Sequence, residues 1–405
     1  MKDKAISNLI KKESKRQTET LDLIASENFA SHDILEALGS PFTNKYSEGY
    51  PGKRYYPGNV YCDMVENLAR KRALKLFKLN PKKWSVNVQP LSGSPANLAV
   101  YFALLEPGDT LMGLKLSSGG HLTHGHKVSI TGKHWKAVQY GVDGEGIVDY
   151  KEVKRLAHKH KPKIIISGFS AYPRKIDFKK FKAIADEVGA YHMVDMAHIA
   201  GLIAGGVYPT PFPYADVVTT TTHKTLRGPR GAMIFSKKEL SEKIDKAVFP
   251  GLQGGPHNNT TAGIAVALYE AMQRPFKKYA AQIIKNARAL AKELKQFGIQ
   301  LVSGGTDSHL LLLDVRNLGI DGMEAQNRLE KSGIIANRNT VPGDPSPFKP
   351  SGVRLGTPSI TSRGMKEREM KILAFFIYQA LLGRDIKARV VKLCKQFPAK
   401  RFLKS

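Results

Sequence analysis

The sequence predicts an α/β protein whose main domain is built on a mostly parallel sheet. Three observations point there. From about residue 60 to about residue 240, short apolar runs alternate with stretches of helical period, the signature of strand–helix–strand units. Helix-ending signals follow those stretches, at Pro107-Gly108-Asp109 and at Gly189. Asp195 and Lys224, each beside a strand-like run, are 29 residues apart (224 − 195), about one strand-helix-strand step.

The elements can be taken in order. Residues 1 to about 20 read as a polar helix, an arm lying on another part of the structure. Leu21-Asp22-Leu23-Ile24-Ala25 is a short strand-like run, broken at Ser26-Glu27-Asn28. Residues 44–58 are rich in Gly, Pro and Tyr. A flexible linker would favour Ser and Gly without four tyrosines, so an ordered functional loop is expected. Asn59 then starts a helix with apolar positions Met64, Val65, Leu68, Ala69, Ala73 and Leu76. Strands are expected at Val86-Asn87-Val88, Ile164-Ile165-Ile166-Ser167, His192-Met193-Val194 and Ala215-Asp216-Val217-Val218. Helices are expected from Ala96 to Leu105 and from Phe178 to Val188. Thr261 to Phe297 is long and helical by period. A second, smaller α/β domain follows, with a strand around Ser308 to Val315 and helices at Gly322 to Lys331 and Ser362 to Leu382. The expected division is an N-terminal arm (1–30), a large domain (31–265) and a small C-terminal domain (266–405).

With 405 residues there is room for two domains and a large core, and 42% hydrophobic with 24% charged residues is ordinary for a globular chain. Cys62 and Cys394 form no Cys-x-x-Cys pair and no disulfide framework, which fits a reducing compartment. The N-terminus lacks a signal-peptide apolar core, and the apolar run from Ile372 to Leu382 is too short to span a bilayer. A soluble, cytoplasmic protein without a membrane partner is expected. The net charge of +28 admits nucleic acid, an anionic membrane surface or polyanionic substrates. The lysines are spread along the chain, with clusters at Lys11-Lys12, from Lys151 to Lys163 and from Lys387 to Lys404, and read mostly as solvated helix faces.

Five stretches carry chemistry. In Thr219-Thr220-Thr221-Thr222-His223-Lys224, a lysine crowded by hydroxyls sits where a strand ends and a Gly/Pro-rich turn begins. Desolvation there lowers an amine's pKa and frees it to attack a carbonyl. Val194-Asp195-Met196-Ala197-His198 places a carboxylate directly after a buried run. Leu91-Ser92-Gly93-Ser94-Pro95 lies between a strand and a helix, where small residues and a helix N-terminus suit a phosphate. Lysine, strand-end carboxylate and phosphate-ready helix start are together what pyridoxal 5'-phosphate needs. Arg354, flanked by Gly352 and Gly356, offers a guanidinium fork for a carboxylate. The stretch from Gly119 to His126 holds three histidines, but no carboxylate or thiolate is near in sequence, so no metal is expected. An imidazole stacked on a flat ring suits it better.

Read together, these stretches closely resemble the serine hydroxymethyltransferase family of fold-type I pyridoxal-phosphate enzymes, over nearly the whole chain. The shared motifs are Leu23 to Asn28, Tyr46 to Tyr56, Ser92-Gly93-Ser94, Gly119 to Gly125, Gly168 to Tyr172, Val194 to Gly201, Thr219 to Gly231, Gln253-Gly254-Gly255-Pro256 and Ser303 to Asp307. The resemblance implies a large domain with a seven-stranded, mostly parallel sheet sandwiched by helices, plus a smaller C-terminal domain. It implies transfer of a one-carbon unit between serine and glycine, with tetrahydrofolate as acceptor. By motif position Lys224 would carry the cofactor as a Schiff base, Asp195 would bind the pyridine nitrogen and His121 would stack on the ring. His198 and Ser170 would lie at the phenolic oxygen, Gly93 and Ser94 at the phosphate, and Thr221 and His223 beside the cofactor. Ser26, Tyr56 and Arg354 would hold the amino acid, and Glu48 would be the acid/base group near its hydroxyl and the folate. Tyr46, Tyr56 and Gly255 would reach a neighbouring subunit's site, implying a homodimer with shared sites, open to pairing into a tetramer. Folate contacts would come from Glu48, Leu116, Gly120, Leu122, Asn339, Ser346, Pro347 and Phe348. Pro57, Pro95 and Ala232 depart from residues common in the family, and none of them removes a catalytic group. Two alternatives stand beside this reading: a folate-independent β-hydroxy-amino-acid aldolase on the same cofactor, and the same enzyme with a second, RNA-binding role suggested by its charge.

Overall fold

The computed structural model describes residues 1–346, 348–399 and 402. It divides into two compact units, one of Asp33–Ser170 and Lys175–Ala280, the other of Met1–His32, Ala171–Arg174 and Ala281–Ser405.

The first unit holds a seven-stranded sheet. Across it the strands run Trp84–Asn87, Ala232–Lys237, Val217–Thr221, Tyr191–Asp195, Ile164–Gly168, Thr110–Leu114 and Lys136–Tyr140. Only Ala232–Lys237 runs against its neighbours. The three central strands are buried along nearly their whole length, which explains why they read as short continuous apolar runs. Helices cover the sheet, and Val100, Ile164, Ile166, Met193, Val217 and Ile234 share one core. The expected helix endings are realised. Gly189 closes Phe178–Val188 at φ 71°, a left-handed conformation in which a side chain would be strained.

One expectation needs correction in part. The helix that Asn59 opens, Val60–Leu76, buries two of the apolar positions read from the sequence, Ala69 and Ala73, together with Cys62 and Glu66. Val65 and Leu76 are half-buried, while Met64 and Leu68 are exposed beside Val60 and Tyr61. Small side chains let it lie close to the helix Asn258–Met272, and the buried Glu66 is answered by Arg54 at 2.7 Å. The long helical stretch is two helices, Asn258–Met272 and Arg274–Gln296, parted at Gln273, whose backbone is extended.

In the second unit the strands Gln300–Leu301, Leu310–Asp314, Gly352–Gly356 and Asn337–Asn339 form an antiparallel sheet. Leu311, Leu313, Val353, Leu355, Leu373 and Ile377 belong to its core. Leu21–Asp22 pairs in parallel with Ile334–Ile335, and the Gly356 N–H donates to the Leu23 carbonyl at 2.7 Å. A Cβ on Gly356 would run into Ala25, so glycine there admits the early segment. The opening helix Lys4–Glu19 buries no residue of its own. Its end is tied down by the buried Arg363, whose guanidinium donates to the carbonyls of Thr20 (2.7 Å), Thr18 (3.1 Å), Cys394 (3.0 Å) and Phe397 (2.7 Å). No helix among the described residues is long and apolar enough to cross a membrane.

Candidate active site

The carboxyl ends of the central strands carry the groups that the motifs single out. Asp195 is the last residue of its strand and is buried. Its Oδ1 accepts the Ala197 N–H at 3.1 Å, and its Oδ2 accepts from Asn97 Nδ2 at 2.9 Å and from His124 Nε2 at 3.2 Å. The backbone fixes the imidazole tautomers. The His121 N–H donates to His124 Nδ1 at 3.2 Å, so that nitrogen holds a lone pair and Nε2 carries the hydrogen toward Asp195. Asn97 is held in turn. Its amide also donates to Thr123 Oγ1 at 2.8 Å, and its carbonyl accepts from the Thr219 hydroxyl at 2.7 Å. Thr123 completes the chain, its hydroxyl 2.7 Å from His121 Nδ1 and its backbone N–H donating to that same nitrogen at 3.2 Å.

Charge follows from this geometry. Burial pushes the Asp195 carboxyl up, but the hydrogen bond from His124, with the nearby Lys224 adding to it, outweighs that and holds the group well below the usual carboxylate range. His121 moves the other way. Burial, then the neighbouring His124 and Lys224, bring its pKa down to about 4 despite Asp195, so it is a neutral ring at physiological pH. Burial and the charges of Lys224 and Arg230 bring His223 to about 3. Among the described residues the one basic side chain within ion-pair distance of Asp195 is the imidazole of His124. A buried carboxylate so placed calls for a further cationic N–H.

Lys224 follows the strand Val217–Thr221 on a loop closed by its own polar residues. Thr222 N–H donates to the Gly231 carbonyl (3.0 Å), the Thr222 hydroxyl to Pro229 (2.6 Å), and the Gly228 N–H back to the Thr222 carbonyl (2.6 Å). Thr225 ties this loop to the turn after Asp195, accepting the Gly201 N–H at 3.0 Å and donating to the His198 carbonyl at 2.9 Å. His198 is buried there, its ring 6.4 Å from that of Phe169. Ser170 is fixed through its backbone N–H, which donates to the Gly119 carbonyl at 2.7 Å. The helix Gly93–Leu104 starts close against the end of the lysine strand, since a Cβ on Gly93 would lie 2.8 Å from Thr221 Cγ2. Its Ser92 cap makes no side-chain capping bond, and Pro95 sits in the first turn, where a missing N–H breaks no helix bond.

The loop bearing Glu48 is ordered by Arg54. Its guanidinium donates to the carbonyls of Ser47 (2.9 Å) and Gly49 (2.6 Å) and pairs with Asp63 (2.8 Å) and Glu66 (2.7 Å), while Gln89 also donates to the Gly49 carbonyl at 3.0 Å. Glu48 itself accepts from the Tyr46 hydroxyl at 3.2 Å. Tyr46 packs on Tyr56, ring centroids 5.0 Å apart, and over Gly255, where a Cβ would lie 3.2 Å from Tyr46 Cζ. Leu116 and Leu122 bracket the histidine loop, and Gly120 has no room for a Cβ against the Leu114 carbonyl.

The other unit carries the remaining residues. Arg354 lies within the strand Gly352–Gly356, its Nε donating to Asn337 Oδ1 at 3.1 Å. Desolvation lowers its pKa to about 10, which leaves it cationic at neutral pH. Ser26 follows the Ala25 segment that Gly356 admits. Asn339 ends its own strand, and Phe348 is exposed, its N–H donating to Ser346 Oγ at 3.2 Å. Pro347 lies outside the described residues.

Residues 1–377 match the protein family described as Serine hydroxymethyltransferase. The chain belongs to the serine hydroxymethyltransferase family. It is 57% identical over 406 residues to the serine hydroxymethyltransferase of Desulfotalea psychrophila (strain LSv54 / DSM 12343), covering 98% of this chain and 94% of the relative. It is 56% identical over 406 residues to that of Sorangium cellulosum (strain So ce56), with 98% and 95% covered. Serine hydroxymethyltransferases depend on pyridoxal phosphate and use tetrahydrofolate as co-substrate. The residues present fit that cofactor. Among the described residues no lysine or arginine is ion-paired to the buried anionic carboxylate, His223 Nδ1 is buried and without a hydrogen-bond partner, and a helix start with a small residue abuts the lysine strand. Asn97, Thr123, His124 and Thr219 were not singled out from the sequence. His124 stood inside a noted motif, but its role depends on a long-range contact with Asp195 that spacing does not reveal. No group of three His, Cys, Asp or Glu side chains able to hold a metal ion occurs among the described residues.

Proposed function

We propose that the chain performs the reversible transfer of a hydroxymethyl group from L-serine to tetrahydrofolate, yielding glycine, with Lys224 as the anchoring lysine and Glu48 as the proton-carrying group. The hydrogen-bonded Asp195 carries the reading, because its environment keeps a buried carboxylate anionic and aimed. Bound pyridoxal phosphate supplies an electron sink for bond cleavage next to the amino-acid nitrogen. Asp195 would hold a proton on the pyridine nitrogen, and the neutral His121 would lie against the ring. Gly93 and Ser94 would meet the phosphate with the helix N-terminus, and Thr221 and His223 would line the same cradle. His198 and Ser170 would stand at the phenolic oxygen. Arg354, with Ser26 and Tyr56, would bind the substrate carboxylate through a charged hydrogen bond. Leu116, Gly120, Leu122, Asn339, Ser346, Pro347 and Phe348 would contact the folate.

A cytoplasmic homodimer is part of the proposal. The exposed apolar stripe Val60, Tyr61, Met64 and Leu68, with the exposed Tyr46, Tyr55 and Tyr56, supports a partner surface beside the Glu48 loop.

Glu48 separates a folate-dependent transferase from an aldolase. Its Tyr46 partner and the Arg54 clamp support a carboxylate held in one place, as proton transfer requires. Glu48→Gln keeps the shape and removes the exchangeable proton. Folate-dependent cleavage of serine should fall by about 10²–10⁴-fold, while slow folate-independent cleavage of allo-threonine survives. Paired rates on the two substrates test this, and equal losses on both would remove Glu48 from the transfer step.

A further inference from the structure

A second cleft, of about 770 Å³, opens at the opposite end of the seven-stranded sheet. Trp84 begins its strand there, Lys237 ends the neighbouring antiparallel strand directly across from it, and Phe212 lies just before Val217–Thr221. The catalytic groups sit at the other end of the same strands, about 16 Å away for a five-residue strand.

Its lining is chemically one-sided. Lys75, Lys78, Lys83, Lys237 and Lys277 line it and no carboxylate does. The bland account is that lysines complement helix ends. The helices ending at Leu76, Ala204 and Met272 do finish at this cleft. Each C-terminus is worth about −0.5 of a charge, so three supply roughly −1.5 against five ammonium groups, leaving a surplus of about 3.5 positive charges. Lys83 and Lys237 belong to strand ends, not helix ends. The floor is aromatic. Phe212 meets Trp84 edge-on and Phe77 at a tilt, each at 5.3 Å, and the half-buried Leu79 and Met272 add apolar wall. Lys237 Nζ stands 4.5 Å over the Trp84 ring. Lys78, at the rim, holds φ 56°, a conformation disfavoured for a side-chain-bearing residue.

We propose that this cleft is a second ligand site, for a small phosphorylated ring compound of nucleoside diphosphate size. Ammonium groups on flexible stems suit phosphate oxygens, and the aromatic and apolar floor suits a flat ring. The volume is that of a small-molecule site.

The test is titration calorimetry on the full-length, cofactor-loaded protein saturated with glycine, so that the catalytic site is filled. ADP, pyrophosphate and adenosine are the three probes. ADP should bind, and the charge-only and ring-only probes should each bind at least about tenfold more weakly, the factor that goes with losing one charged or stacking contact. Lys83→Ala/Lys237→Ala should weaken ADP by about tenfold or more and leave serine turnover in the absence of ADP unchanged. Hydrogen exchange of the peptide covering residues 77–84 in the unsubstituted protein gives a measurement independent of any variant, and ADP should slow it. No binding of ADP at millimolar concentration, pyrophosphate binding as tightly as ADP, binding indifferent to the double substitution, or unaltered exchange would each overturn the proposal.

Discussion

The two ends of the seven-stranded sheet make opposite use of charge. At the carboxyl end a single carboxylate, Asp195, is met by an amide, an imidazole and a backbone N–H, the first two each held by a further group. At the amino end five lysines face a cleft with no carboxylate in its lining. Both ends offer the same backbone platform, the last or first residues of buried strands. What differs is the layer behind the charge. A group whose orientation and protonation are fixed by its neighbours suits chemistry, where a proton must stay at one atom. Ammonium groups on long stems suit capture of an anion, where adaptability costs little.

The largest expected effect breaks the carboxyl end at the proposed covalent anchor. Lys224→Ala should abolish the visible absorption of bound cofactor and with it turnover. A retained band in the purified variant would move the anchor to another lysine. Next comes the charge itself. Asp195→Asn keeps the size and two of the hydrogen bonds, so cofactor should stay bound while turnover falls by about 10³-fold or more, a loss of about 4 kcal/mol of transition-state stabilisation. Near-normal turnover would mean that the network serves only packing.

Arg354→Lys sharpens the comparison by putting the flexible cation of the amino end where a planar fork is expected. Serine affinity should drop by roughly 2–3 kcal/mol, the worth of a charged hydrogen bond. Unchanged affinity in a serine titration would place the carboxylate site elsewhere.

The smallest effect is a pH dependence of stability. His121, His192 and His223 are held neutral, with pKa values brought to about 4, 4 and 3 chiefly by burial. Above the ordinary histidine pKa both folded and unfolded forms are neutral and nothing is lost. As pH falls from about 6.5 toward 4 the unfolded chain takes up protons that the folded chain refuses, so stability declines across that window. Thermal unfolding of the cofactor-free protein should show Tm falling by several degrees there. His192→Asn should flatten the slope, and a flat profile in the unsubstituted protein would count against buried neutral imidazoles.

Much of this was readable in the chain because the deciding signals are local. Strands such as Ile164–Gly168 announce themselves by unbroken apolar runs, and Gly189 marks a helix end by the conformation it alone adopts easily. Asp195 and Lys224 stood out by their own stretches, and the structure places one at and one just beyond the carboxyl end of a central strand. What escaped is what depends on distance in sequence. Asn97 and Thr219 are 122 residues apart and meet only through the sheet order. The face of Val60–Leu76 was legible only in part, at Ala69 and Ala73, because its buried side also carries Glu66, and the Arg54 side chain that makes a glutamate tolerable there comes from the preceding loop. Apolar periodicity cannot anticipate a buried ion pair.

The pairing of Leu21–Asp22 with Ile334–Ile335 has a consequence for how the protein is made. Leu21 leaves the ribosome 313 residues (334 − 21) before its partner Ile334. At ordinary elongation rates of about 5–20 residues per second, that is a wait of roughly 15–60 s. Throughout that interval Leu21, Leu23 and Ala25, all buried in the finished fold, have no sheet to enter, whereas the seven-stranded sheet has all its strands once Lys237 is made. The opening segment is thus made first and housed last, and during synthesis it is the stretch of nascent chain most in need of a chaperone's cover.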